Sequence, residues 1–124
     1  MVEHRRFIKS FQFALLGLKK VFLQEQNFRI HSGIALLVII LGLYLGLSVW
    51  EWIIIILLIA LIFILEIINS IFERLLDLIK PRIHEYVGDI KDMTAAAVFV
   101  GAIIAVIIGV IIFLPHILDK FKLI

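Results

Sequence analysis

Apolar residues run almost without interruption through Gly33 to Val49, Trp52 to Ile68 and Thr94 to Pro115. Each window is long enough to cross about 30 Å of hydrocarbon as a helix. The pattern therefore predicts three transmembrane helices, over about 31–49, 52–72 and 94–115. Residues 4–25 read differently. Phe7, Phe11, Ala14, Leu15, Leu18, Val21 and Phe22 recur at helical spacing, with Arg6, Lys9, Lys19 and Lys20 elsewhere on the wheel, which predicts an amphipathic helix lying on the membrane surface. Asn27 is expected to cap or turn the chain into the first span, where Gly42 and Gly46 permit close helix contact. The second helix is expected to run past the membrane surface through Asp77 and to stop before Pro81, because proline disfavours helix at the residue before it. Lys80 to Gly88 then reads as a loop, and Lys91-Asp92-Met93 opens the third helix ahead of the small residues Ala95, Ala96, Ala97, Gly101 and Ala102. The fold class is an all-α membrane protein, with residues 1–124 forming a single domain.

A polar stripe interrupts this pattern on the second helix. At 100° per residue, Glu66, Asn69, Ser70, Glu73 and Asp77 fall within roughly 100° of one another. A carboxylate at bilayer depth is expensive and calls for a use. Glu73 is expected at the depth where Glu25 ends the surface helix, and two carboxylates converging there suit Mg²⁺, which takes few protein oxygens and completes its shell with water and phosphate. Arg6, Arg82 and Lys91 offer cations for further phosphate charge, so metal, cations and carboxylate together make a phosphoryl-transfer toolkit. Glu66 lies two turns deeper than Glu73, roughly 10 Å at 1.5 Å per residue, where it can take a proton from a lipid hydroxyl. Asn69 can orient either carboxylate.

Plainer roles compete with these. Asn69 and Ser70, taken alone, read more readily as glue between helices. Glu25 with Arg29 four residues on is an ordinary surface pair. His31 and His84 read as interfacial rather than catalytic, since no histidine-rich ligand spacing accompanies them. Glu51 reads as a solvated loop charge.

Composition narrows the class. Hydrophobic residues make up 64% of the 124 and the mean hydropathy is +1.19, against roughly 45–50% apolar for soluble domains. Cysteine is absent, which removes disulfides, thiolate metal sites and cysteine nucleophiles. The charges through to Arg29, with no short apolar core before a cleavage site, argue against a signal peptide. Arg5, Arg6, Lys9, Lys19, Lys20 and Arg29 precede the first span, and Arg74, Lys80, Arg82 and Lys91 lie between the second and third. Both regions, and so the N-terminus, should face the cytoplasm in a multi-pass cell-membrane protein. The net charge of +2 and isoelectric point near 9.1 then reflect topology, with no nucleic-acid partner expected. Tyr44, Trp50 and Trp52 fit an aromatic belt at the opposite surface. No GxxxxGK[ST] loop or soluble-kinase signature occurs in the chain.

Taken together, Arg6 and Lys9, Gly17-Leu18, Glu25-x-Asn27-Phe28-Arg29-Ile30-His31, the stripe from Glu66 to Asp77, and Lys91-Asp92-Met93 before Ala95-Ala96-Ala97-Val98 resemble the prokaryotic diacylglycerol kinase and undecaprenol kinase family of small three-span membrane enzymes. The resemblance covers nearly the whole chain. It implies a homotrimer with active sites between subunits, each using MgATP to phosphorylate a lipid alcohol. By the same resemblance Glu66 would be the catalytic base, Glu25 and Glu73 the metal ligands, and Arg6, Glu66 and Asn69 would meet the lipid substrate. Arg6, Phe13, Glu25, Glu73, Asp77, Arg82, Ile83, His84, Lys91 and Asp92 would form the nucleotide site. Phe13 stands where some members carry tyrosine, which leaves stacking without a hydroxyl. Asn27 to His31 and the Pro81 to His84 loop look like the undecaprenol-kinase branch, with diacylglycerol as the alternative acceptor. Two readings from other classes share the buried carboxylates: an oligomeric ion or proton conduit, and a structural subunit of a larger membrane complex.

Overall fold

The computed structural model describes residues 2–79 and 84–122. They form four helices: α1 (Val2–Gln24), α2 (Gln26–Leu45), α3 (Val49–Ile79) and α4 (His84–Lys120). Helices α2 and α3, and Glu85–Lys120 of α4, are long and apolar enough to cross a membrane. Helices satisfy their own backbone groups, which is what permits such segments to sit in hydrocarbon.

Helix ends fall where local chemistry places them, and several differ from the hydropathy windows. α2 begins at Gln26, with Glu25 rather than Asn27 as its N-cap. It ends at Leu45 because Gly46 adopts the left-handed conformation, with φ 73°, and donates its N–H to the Gly42 carbonyl at 3.0 Å. That conformation costs a side-chain-bearing residue energy that glycine escapes. α3 begins at once, at Val49. The Ser48 N–H donates to Glu51 Oε1 at 2.9 Å while the Glu51 N–H donates to Ser48 Oγ at 3.3 Å, a reciprocal capping box. Glu51 is thus no loop charge; it also takes His116 Nε2 at 2.9 Å and ties the start of α3 to the end of α4.

The expected loop from Lys80 to Gly88 is shorter than its sequence suggested. α4 already runs from His84, with Glu85 in its first turn, where an acidic side chain complements the helix dipole. Residues 80–83 lie outside the described residues. α4 also continues through Pro115 to Lys120; the proline sits within the final turns and removes only one backbone donor. Lys120 Nζ lies 4.7 Å from the centre of the Tyr44 ring, a cation–π contact at this end of the bundle.

The spanning helices pack as two antiparallel hairpins sharing α3. The tightest packing lies near the Ser48 end, where Leu47, Ile55, Ile112 and Phe113 form a buried cluster. Most other large apolar side chains on α2, α3 and α4 face outward, as expected of helices solvated by lipid or by further helices. α1 is exposed along almost all of its length.

Close approach depends on small residues. A Cβ on Gly42 would fall 2.8 Å from the Trp52 ring and 2.9 Å from Leu47 Cδ1, whereas one on Gly101 meets chiefly the mobile tip of Leu65. Gly42→Ala is therefore expected to destabilise the protein by about 1–3 kcal/mol, and Gly101→Ala by clearly less. Unfolding in mixed micelles, followed by circular dichroism, checks the order.

Candidate functional site

Hairpin register decides which side chains meet. With the turn at Gly46 to Ser48, residues about equally far from it on α2 and α3 face one another. Gly42 lies against Trp52, Phe28 and Phe63 have ring centroids 5.1 Å apart, and His31 meets Glu66, Nε2 to Oε1, at 3.0 Å. Glu66 is only 3% exposed, as is Ser70 one turn on. Two members of the stripe on α3, Glu66 and Ser70, are therefore buried, the first of them against a histidine.

The joint between α1 and α2 places a second carboxylate beside α3. Glu25 has extended backbone angles, φ −109° and ψ 110°, and its side chain makes no cap hydrogen bond. It is left facing Arg74 of α3, 4.0 Å away, and Arg74 also donates to Gln24 Oε1. The expected pairing of Glu25 with Arg29 gives way to another use of Arg29. Its guanidinium donates to the Phe22 and Leu23 carbonyls at 2.9 and 2.8 Å, satisfying acceptors that the end of α1 leaves open.

Glu73 is the third carboxylate. Asn69 Nδ2 donates to its Oε1 at 3.5 Å, while Asn69 Oδ1 is buried with no hydrogen-bond partner among the described residues. Among the described residues, no three histidine, cysteine or acidic side chains form a complete metal cage. The hard oxygens described on this part of the chain are thus Glu25 beside Arg74, and Glu73 beside Asn69. A buried acceptor such as Asn69 Oδ1 normally has a partner.

Farther along α3, Asp77 accepts from Lys91 Nζ of α4 at 2.7 Å. Arg6, Phe13 and Asp92 are exposed, Phe13 by 68%, and nothing in the described chain brings them to the carboxylates. Arg82 and Ile83 lie outside the described residues, as does the side chain of His84. His31, Arg74 and Gln24 are additions that sequence reasoning missed. The signal for His31 lay in the hairpin: it stands about as far before the turn as Glu66 stands after it.

A groove of about 560 Å³ runs between α2, α3 and α4, with His31 at one end and Phe113, Leu114 and Ile117 towards the other. Its lining is apolar except for His31. The groove thus ends at a histidine that meets a buried carboxylate.

Residues 12–113 match the prokaryotic diacylglycerol kinase family. The chain is similar to the undecaprenol kinase of Bacillus subtilis strain 168, with 43% identity over 113 residues covering 91% of this chain and 92% of that protein. It is also similar to the diacylglycerol kinase of Escherichia coli strain K12, with 32% identity over 111 residues covering 90% and 91% of the two chains. The diacylglycerol kinase of Haemophilus influenzae is 36% identical over 107 residues, covering 86% and 91%. Three membrane-length helices, a buried carboxylate at the end of an apolar groove, and these likenesses agree: the chain is a lipid kinase and belongs to the prokaryotic diacylglycerol kinase family.

Proposed function

We propose that this protein transfers the γ-phosphoryl group of ATP to undecaprenol, with Glu66 as the base. The observation carrying the reading is the position of Glu66, buried against His31 at one end of an apolar groove. A long isoprenoid chain laid in the groove brings its terminal hydroxyl to that end. The hydroxyl oxygen bonds to the γ-phosphorus, its proton passes to Glu66, and the bond from that phosphorus to the bridging oxygen breaks to release ADP.

Glu25, Glu73 and Asn69 Oδ1 would hold Mg²⁺, whose charge offsets that of the phosphates. Lys91 and Asp77, with Arg6, Phe13, Arg82, Ile83, His84 and Asp92, would complete the nucleotide site. α1 would lie on the cytoplasmic surface of the cell membrane with its basic residues in water. Residues 1–124 would act as one domain within a homotrimer, which would cover apolar faces now open on α2, α3 and α4.

The likeness to the Bacillus subtilis enzyme favours undecaprenol. The several related diacylglycerol kinases support diacylglycerol as the second reading, since apolar pockets discriminate weakly between apolar chains. Purified protein given labelled MgATP and equal amounts of both lipids is expected to place most label in undecaprenyl phosphate. Label chiefly in phosphatidate would keep the reaction and overturn the acceptor.

A further inference from the structure

We propose that His31 is a positioning residue: it fixes the Glu66 carboxylate in the orientation that receives the lipid hydroxyl. The inference rests on the base assignment above and adds a residue to it. His31 Nε2 lies 3.0 Å from Glu66 Oε1, and the imidazole is the polar member of the groove lining. It therefore stands where the apolar channel ends and the carboxylate begins.

Glu66 needs such a partner. Its side chain is nearly inaccessible, and among the described residues no lysine or arginine forms an ion pair with it. A buried carboxylate free to rotate about its final torsions would present either oxygen, or neither, to an incoming hydroxyl. An N–H donated from His31 Nε2 engages Oε1 and leaves Oε2 as the acceptor. The ring is itself held, because α2 and α3 are locked in register by the Phe28–Phe63 contact one turn away and by Gly42 against Trp52. The proton lost by the lipid alcohol ends on Glu66, and His31 stays a donor throughout, so the reaction balances as written above without any co-reactant.

The geometry separates this role from simple packing. Glutamine can place an amide N–H close to the position of Nε2, whereas asparagine is one methylene too short and leucine fills the space without donating. Three variants in detergent or nanodiscs, His31→Leu, His31→Asn and His31→Gln, are compared for kcat, for KM towards MgATP and lipid, and for thermal unfolding. His31→Leu is expected to lower kcat about 10- to 100-fold, the scale of a lost hydrogen bond to a charged group, with KM for MgATP unchanged. His31→Gln is expected to recover most of the loss and His31→Asn little of it. A kcat for His31→Leu equal to that of the unsubstituted protein, or equal activity in the glutamine and asparagine variants, would overturn the proposal. Failure of the unsubstituted protein to phosphorylate any lipid alcohol would instead overturn the reading on which it rests. Should His31→Leu unfold, the contrast between the two amide variants still decides.

Discussion

Glu66→Gln is expected to lower kcat for lipid phosphorylation by about 10²–10⁴-fold, the range over which a positioned general base accelerates proton transfer. The loss should fall on kcat, with KM for MgATP little changed, since an interaction used only as the hydroxyl loses its proton contributes to the transition state and not to nucleotide binding. Glutamine matches glutamate in shape and keeps an acceptor for His31 Nε2, which lies 3.0 Å from Oε1. The substitution removes a charge from a side chain that is only 3% exposed, so folding should be unaffected or slightly favoured. Steady-state kinetics beside thermal unfolding checks both parts. A variant that unfolds more readily and loses activity only in proportion would mark Glu66 as a packing group. Proton flux across liposomes that is independent of nucleotide and abolished by the same substitution would instead point to a conduit.

Glu66 was legible in the sequence because two simple quantities agree on it: the 100° step aligns it with Asn69, Ser70, Glu73 and Asp77, and the cost of a carboxylate in hydrocarbon makes the alignment meaningful. The three spanning helices were legible for a similar reason, since their apolar runs exceed what a soluble core requires. Their ends were not. Gly46 halts α2 by adopting φ 73° and Ser48 restarts the chain through its capping box with Glu51, both set by local backbone geometry that a hydropathy window averages away. The helical start at His84 was hidden for the same reason, because Gly88 and the charges around it read as a loop.

Contacts between helices were harder still. His31 looked like an ordinary interfacial histidine, and its meeting with Glu66 follows from a register that Gly46 and the Gly42–Trp52 contact impose. Arg29 was expected beside Glu25, yet the single-residue joint between α1 and α2 leaves the final carbonyls of α1 open and draws the guanidinium to them. Glu25 is thereby released towards α3. A competition between two partners for one arginine cannot be read from spacing alone, because the geometry of the joint decides it.

That release sets up the second large effect. Glu73→Gln is expected to weaken divalent-cation binding by at least the about 10- to 100-fold that loss of even a supporting group in a metal site costs, and to lower activity at fixed Mg²⁺ accordingly. Asn69 Nδ2 now donates to Glu73 Oε1 at 3.5 Å, and a glutamine carbonyl can accept the same bond, so the local fold should survive while a hard anionic oxygen is lost. Titration of Mn²⁺ into the protein without nucleotide, read by the disappearance of the free-ion resonance against a protein-free control, measures binding without reference to turnover. Raising the Mg²⁺ concentration should recover part of the activity in Glu73→Gln and none in Glu66→Gln, because one residue would hold the ion and the other the proton. Equal Mn²⁺ affinity in Glu73→Gln and the unsubstituted protein would remove Glu73 from the metal site and leave Glu25 and Asn69 Oδ1 too few to hold a cation by themselves. Recovery of both variants by Mg²⁺ would mean that the two carboxylates act as one site rather than as a base set above a metal.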